Sequence, residues 1–503
     1  MTLLSVDALV ARYATQTPDH LAIVEYWKKG YEKKMTWRQL DRQANYWAHR
    51  IHEADPGRAP VVIVLAGNRA EHAITTLATW KLGGMVVPVD PHVPAAELER
   101  MRADAGSHVL VGSAEAPAAA GLLRTTEIGG QESDRPPPAS HDGFPRSASG
   151  TGGTTGPPRL VIRRRGWMFD DQELLTPHDR AMGLRLGQRQ LVALPLYHGG
   201  FGPLYKGLAL RHATVLLRHF TPALWLESME RYAINLTRVV PTMMKLILDS
   251  LDGGREPDFS AVAAIDHGTA PCPAEVKRAW IRLLGPERLI ETYSTQEQLA
   301  FVSIRGDEWL AHPGSVGKPD PARIKVLRED GTACDPGETG QIVMRPPDAE
   351  PPAYLSNSPP PRRWSGGYYS VGDSGFLDDD GYLYVRGRMN GAINVGGTLV
   401  HASEIESCLL GSPLIADCAV MPVDDAILGQ VPLAYVILQG QLDDAAGKLG
   451  QWCREQLSPE QVPAEIRIVR SLPRRASGKV ARYLLERGAW PPAALNNSEK
   501  GSL

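Results

Sequence analysis

The chain has 503 residues, 43% hydrophobic and 22% charged, the composition of a globular protein too long for a single core. Its 54 basic and 57 acidic side chains leave a net charge of −3, so no global field draws it to nucleic acid or to a membrane surface. No apolar run reaches the roughly 18 residues of a membrane span. The start, Met1 to Asp7, lacks the basic and apolar pattern of a secretory leader, and five scattered cysteines without a Cys-x-x-Cys spacing read as reduced thiols of a cytoplasmic protein rather than a zinc site.

In chain order, Val61–Leu65 reads as a buried strand, Ala70 to Leu82 has helical spacing stopped by Gly83-Gly84, and Met85–Val89 is the next strand. The rhythm recurs at Leu191–Leu194, Ala213–Leu217, Thr237–Val240, Val262–Ile265 and Leu289–Thr292, which predicts an α/β fold with largely parallel sheets. Ala114 to Ser149 is rich in Pro, Ala, Gly and Ser and reads as a surface excursion; the proline-rich Pro346 to Pro361 reads as an exposed loop. Short strands with glycine turns follow from Tyr368 to Val400. The last hundred residues have their own amphipathic pattern, so a domain boundary is expected at Arg388–Asn390, dividing residues 1–388 from 389–503.

Six segments have residue types suited to chemistry. In Ser149 to Arg159, Gly152, Gly153 and Gly156 free backbone N–H groups to wrap phosphate oxygens, Thr151, Thr154 and Thr155 add hydroxyl donors, and Arg159 can meet terminal phosphates; the Gly-Lys-Ser/Thr of a Walker loop is missing. Pro195 to Gly200 puts His198 after a strand, where a lone histidine is more often structural. His267-Gly268-Thr269-Ala270-Pro271 is a turn whose glycine lets backbone approach a flat ring. Glu291 to Glu297 carries Thr292, Tyr293, Ser294, Gln296 and a carboxylate. Asp373 follows a Gly turn, as ribose-binding carboxylates do, with Arg388 further on. Lys479 lies in a late basic loop with Gly478, where a cation is ordinarily a solvated surface charge. Arg163-Arg164-Arg165 likewise reads as a solvated face.

Together and in this order, from about residue 150 to residue 482, the segments resemble the motifs of the adenylate-forming superfamily of acyl-CoA synthetases, aryl-acid ligases, adenylation domains and luciferases. The resemblance implies a large multi-sheet α/β amino-terminal domain and a small mobile α+β carboxy-terminal domain, with Asn390 at the hinge. It implies ATP, Mg²⁺ and coenzyme A as cofactors. Thr151 to Gly156 and Arg159 would hold phosphates; the turn Gly268, Thr269, Ala270 and Pro271 would lie against the adenine and Tyr293 would stack on it, with Thr292, Ser294 and Gln296 also at the nucleotide; Asp373 would bind ribose and Arg388 ribose or phosphate; Glu297 would hold the metal; Lys479 would neutralise the attacking carboxylate and the α-phosphate together. His198, Gly199, Phe201, Val240, His267 and Gly268 would border the acid. The chain departs from the family pattern at Ser294, where Gly is usual, at Gln296, where Thr is usual, and at Val371, also usually Thr. A Gln amide can still donate to a phosphate oxygen.

Members that take amino acids usually keep an Asp near the pocket histidine. His198 to Leu210 has no acidic residue, so an aryl or bulky apolar acid without an α-amine is expected. The implied reaction is activation of that acid to acyl-AMP, then transfer to CoA. A stand-alone adenylating enzyme handing acyl-AMP to a carrier-protein pantetheine or a second enzyme is the alternative. A degenerate nucleotide- or acyl-binding relative is the non-enzymatic one.

Overall fold

The computed structural model describes residues 2–113, 116, 122–124, 131–135, 137–138, 145–150, 160–163, 167–251, 256–347, 351–355, 361–389, 392–396, 398–474, 480 and 482–486. It is a mixed α/β chain with a large multi-sheet amino-terminal part and a small carboxy-terminal domain.

The first large sheet has seven strands in the spatial order Ala353–Tyr354, Leu160–Arg163, Arg146–Gly150, Met85–Pro88, Val61–Leu65, Val109–Gly112 and Leu122–Arg124. Its centre is parallel, and its strands are continuous apolar runs because both faces are covered. The helix Ala70–Lys81 joins two of them, buried along most of its length. Two segments expected as loops contribute strands here. Arg146–Gly150 pairs with Met85–Pro88, and Ala353–Tyr354 from the proline-rich stretch pairs with Leu160–Arg163.

The second large sheet has eight strands. From Phe301–Arg305 it runs through Leu289–Ser294, Ala264–Gly268, Leu236–Val239, Arg189–Val192, Ala213–Leu217 and Leu21–Lys28 to Tyr31–Thr36. The six inner strands are parallel; the two edges are antiparallel. A core containing Trp225, Trp280, Met244 and Ile265 fills one face, and the other packs on the helices Val6–Gln16 and Phe201–Ala209. The helix Trp37–Ala54 that follows the edge strand begins with a capping box between Thr36 and Gln39.

A four-stranded antiparallel sheet, Ile324–Leu327, Gly340–Met344, Tyr369–Leu377 and Leu383–Arg388, follows. The carboxy-terminal sheet has five described strands, Thr398–His401 at one edge, then Ala392–Val395 and the long hairpin Gly429–Leu438/Ile415–Asp425, with Glu465–Ile468 paired to Gly429–Leu438 and the helices Ala402–Leu410 and Ala445–Gln456 packed on it. It rests on the preceding hairpin through Ser403 Oγ, which donates to Arg386 O at 2.6 Å, through the Arg386–Glu404 pair at 2.5 Å, and through Ser374 Oγ and His401 Nε2 at 3.2 Å.

Candidate active site

Parallel strands direct their carboxyl ends to one edge of a sheet, where ligand clefts form. Four strands of the eight-stranded sheet end in segments singled out in the sequence. Arg189–Val192 leads to His198, Leu236–Val239 to Val240, Ala264–Gly268 to the Thr269–Pro271 turn, and Leu289–Ser294 to Gln296 and Glu297. Two strands run further than predicted, so His267, Gly268, Tyr293 and Ser294 join the expected Thr292 as strand residues. Gly268 sits where a Cβ would lie 2.4 Å from the Thr292 carbonyl, so no other residue fits without moving the neighbouring strand. Thr269 turns the chain with φ +70°, and Thr269, Ala270 and Pro271 are exposed.

Asp373 joins the two sheets at this edge. The Tyr293 hydroxyl donates to Asp373 Oδ2 at 2.6 Å, and Arg388 Nε lies 2.9 Å from Asp373 Oδ1. Burial, reinforced by the Asp373 charge, raises the Tyr293 phenol well above its usual range, so it stays protonated and donates. Gly372, at φ +76°, supplies the left-handed turn before Asp373. Arg388 Nη1 also donates to the Val371 carbonyl at 3.1 Å, while the Val371 side chain is part of the core. The Thr-to-Val departure therefore falls on a side chain whose backbone makes the contact. The Ser294 departure is equally mild: Ser294 has no positive φ, and its hydroxyl donates to Ala300 O at 2.8 Å, closing the turn that carries Gln296 and Glu297.

Gln296 Nε2 donates to Ser149 Oγ at 2.6 Å, at the foot of the glycine-rich segment. The amide expected at a phosphate is thus bonded to the strand from which that segment leaves. Glu297 is half-buried, and its Oε1 accepts from the Tyr354 hydroxyl at 3.1 Å. A single carboxylate is a donor set that magnesium accepts when phosphate oxygens complete its shell, so the residues fit that ion.

On the expected acid side, His198 follows a tight turn in which His198 N and Gly200 N both donate to Pro195 O at 2.9 Å. The glycines there differ. A Cβ at Gly200 would lie 2.2 Å from Leu194 O and one at Gly199 3.1 Å from Leu194 Cδ1, whereas Gly202 faces open space. Gly199, expected at the acid, and its neighbour Gly200 therefore serve close packing. Phe201, expected at the acid, is 7% exposed and packs against Tyr205, Trp167 and His72 in the aromatic core. Val240 is half-buried before the helix Pro241–Ser250. His267 is fully buried, and neither ring nitrogen has a hydrogen-bond partner among the described residues. Burial first, then the charges of Lys277 and Arg238, push its pKa well below the usual range, so the ring is neutral. Beside it runs the buried Lys277–Glu291 pair at 2.5 Å.

Thr151 to Arg159, Asn390 and Lys479 lie outside the described residues. So do Arg164 and Arg165, but Arg163, expected on a solvated face, is half-buried with its guanidinium over the Trp167 ring at 4.7 Å. Sequence reasoning missed Tyr354, hidden in a proline-rich stretch. It also missed the Lys277–Glu291 pair and the Arg238–Asp266 contact at 3.1 Å, whose Asp266 Oδ1 accepts from Thr292 at 2.8 Å. Strand pairing places these groups together, and no local motif announces it.

The model of the AMP-binding enzyme family matches residues 10–349, and that of the AMP-binding enzyme C-terminal domain matches residues 404–479. A 2-succinylbenzoate–CoA ligase of Bacillus licheniformis is 28% identical over 486 residues, covering 94% of this chain and 98% of its own. The same-named enzyme of Geobacillus kaustophilus is 29% identical over 484 residues, covering 94% and 95%. In fold, the o-succinylbenzoate CoA synthetase of Bacillus subtilis, solved with its acyl-adenylate intermediate, matches with a TM-score of 0.82 over the whole of both chains at 24% identity.

Proposed function

The chain belongs to the AMP-binding enzyme family, and from that premise we propose that it activates an aryl or bulky apolar carboxylic acid with ATP and transfers the acyl group to coenzyme A. A substrate carboxylate oxygen attacks the α-phosphorus, pyrophosphate leaves, and acyl-AMP forms; a thiolate then attacks the acyl carbon and AMP departs. The observation that carries this reading is the Tyr293–Asp373–Arg388 constellation at the strand ends. It presents a carboxylate for ribose hydroxyls beside an aromatic ring and the exposed Thr269–Pro271 turn.

The chain's own residues divide the work. Tyr293 and the Gly268–Pro271 turn hold the adenine between ring and backbone. Asp373 accepts from the ribose, and Arg388 neutralises it and reaches toward phosphate. Gln296 braces the foot of the phosphate segment through Ser149, and Thr151 to Gly156 with Arg159 receive the triphosphate. Magnesium, held by Glu297 and phosphate oxygens, would offset the charge of the leaving pyrophosphate. Lys479 brings a point charge to the carboxylate and α-phosphate as they approach. Asn390 lies between the strands Leu383–Arg388 and Ala392–Val395, where the small domain turns relative to the large one.

Gly202 opens the acid side to space, and His267, whose ring nitrogens have no partner among the described residues, offers them to a polar substituent of the acid. That suits an oxygenated aryl acid, the class named for the relatives above. The five cysteines are free thiols, which supports a reducing, cytoplasmic setting. Among the described residues no helix is long and apolar enough to cross a membrane.

The test is pyrophosphate release with a panel of aryl, alicyclic and amino acids that includes 2-succinylbenzoate, followed by mass spectrometry for the thioester after CoA is added. Turnover with aryl acids and a CoA thioester is the expected outcome. Adenylate without thioester would favour a separate acceptor, and silence with every acid would refute the enzyme. Lys479→Ala should lose adenylation while still converting preformed acyl-AMP.

A further inference from the structure

We propose that Asn68 is a positioning residue for the acid site: its amide, reaching across from the seven-stranded sheet, holds the Leu194–Gly200 turn so that His198 stands at the substrate carboxylate. The proposal rests on the reading of His198 as a border of the acid site.

Asn68 lies in the turn between the strand Val61–Leu65 and the helix Ala70–Lys81, and is 7% exposed. Its Nδ2 donates both hydrogens, to Leu194 O and to Leu217 O, each at 3.0 Å. Its Oδ1 accepts from Leu196 N at 2.8 Å. Two carbonyls facing the nitrogen and an N–H facing the oxygen fix which end of the amide is which. One side chain thus ties the exit of the strand Arg189–Val192 and the last residue of the strand Ala213–Leu217, both in the eight-stranded sheet, to a loop of the other sheet. Leu194 and Leu196 are main-chain groups of irregular backbone and Leu217 ends its strand, so the amide pairs buried main-chain groups at a point where the ladders stop.

The geometry limits how the turn can move. Pro195 O accepts from both His198 N and Gly200 N, so Leu194, Leu196, His198 and Gly200 shift as one unit. Gly200 packs so close to Leu194 O that even a methyl group is excluded. On the same turn, burial first and then the charge of Asp90, just beyond the strand Met85–Pro88, raise the Tyr197 phenol above its usual range, so the hydroxyl faces that carboxylate protonated. Asn68 therefore grips the turn at Leu194 and Leu196 from the sheet that also contains the strand Arg146–Gly150. The placement of His198 relative to the strand Arg146–Gly150 depends on the Asn68 contacts. A displacement of about 1 Å at a reacting group lowers the rate by up to about 100-fold.

The experiment compares Asn68→Ala, Asn68→Asp and Tyr197→Phe with the parent for steady-state pyrophosphate release, varying acid and ATP separately. Ser107→Ala serves as a control for destabilisation, because Ser107 Oγ donates to Val61 O and Val109 O in the same sheet away from the turn. Asn68→Asp preserves shape and the acceptor for Leu196 N but removes both donors. Both Asn68 variants should raise the acid KM about tenfold or more and leave the ATP KM within about twofold. Tyr197→Phe, which removes only a half-buried phenol oxygen on the same turn and should fold without difficulty, should move the acid KM the same way by a smaller factor. In the double variant with His198→Ala, the Asn68→Ala effect on the acid KM should largely vanish, because the turn would then position nothing. If the acid and ATP KM values rise together, if Ser107→Ala reproduces the effect, or if Asn68→Ala and His198→Ala multiply, Asn68 is only a structural staple and the proposal fails. If His198→Ala alone leaves the acid KM unchanged, the fault lies in the reading of His198, and an acid-specific effect of Asn68→Ala would then overturn the route through His198.

Discussion

The Tyr293 hydroxyl and the Asp373 carboxylate, from strands in two different sheets, meet at 2.6 Å with Arg388 on the other carboxylate oxygen. The contact makes the aromatic ring and the acceptor of the proposed nucleotide site one unit. A ribose would exchange the phenol's hydrogen bond for its own, on a carboxylate already held in place.

Asp373→Ala should therefore weaken ATP binding by about 10- to 100-fold, the range of a charge-assisted contact, and leave acid binding unchanged. Tyr293→Phe keeps the ring and loses only the hydrogen bond, so its effect should stay below about fivefold. Titration calorimetry with ATP and with the acid decides the matter. Equal losses for both ligands would make Asp373 a bracket between sheets rather than a ribose acceptor.

Gln296 is bonded to Ser149 at 2.6 Å, at the base of the phosphate segment. Threonine is too short to keep that bond. Gln296→Thr should raise the ATP KM about five- to tenfold, the worth of one hydrogen bond between part-buried groups, without changing the acid KM. Glu297→Ala should remove most adenylation at saturating magnesium, and Tyr354→Phe should cost much less, since it leaves the carboxylate. A Gln296→Thr enzyme as fast as the parent at low ATP would show that the Ser149 bond does not serve the nucleotide.

Much of this arrangement could be read before the structure, for a physical reason. Val61–Leu65 and Ala213–Leu217 are short apolar runs bounded by turn residues, and each is a strand over those bounds. His198, Gly268, Tyr293 and Gln296 belong to segments at the carboxyl ends of such runs, so a parallel sheet brings them to one edge. What escaped notice is held by partners distant in sequence. Tyr354 is a strand residue only because Val161 pairs with it, in a stretch whose prolines argue for a loop. Phe201 reads in the sequence as a pocket residue, yet it packs into the aromatic core because the helix it begins turns that face inward. Asn68 is one asparagine in a turn until its three main-chain partners are seen.

His72 gives a prediction for stability. It is fully buried beside Tyr205 and Phe201, and burial lowers its pKa from 6.5 to about 3. The unfolded chain binds a proton near pH 6.5 that the folded chain refuses, so this histidine's contribution to stability is intact above that pH and is lost as pH falls toward 3. Between pH 8 and pH 5 the loss is about 2 kcal/mol. His72→Phe keeps the ring volume and cannot titrate. Urea unfolding at the two pH values should show the parent losing about 2 kcal/mol more than the variant. Equal losses would mean that His72 can be protonated in the folded protein.

The last prediction concerns which acid the site prefers. His267 is fully buried with neither ring nitrogen bonded to a described residue, and an unsatisfied buried polar group costs about 1–3 kcal/mol. A ligand that supplies the missing partner recovers that cost, and one that lacks it does not. The neutral ring can donate from one nitrogen and accept at the other, so an acid with a carbonyl, hydroxyl or second carboxyl group on its ring should be favoured over the bare aryl acid. Lys277 adds positive potential beside the ring while it is held by Glu291, which tilts the preference toward an acceptor. Replacing the ring by a hydrocarbon of similar size should invert the ranking. We expect His267→Leu to lose about tenfold or more in kcat/KM for the oxygenated acid, and to change little, or gain, for its unsubstituted analogue. The readout is the ratio of the two kcat/KM values, because a general loss of stability would lower both together. A ratio that does not move would mean that His267 makes no contact with the acid and that its ring is an unpartnered part of the core.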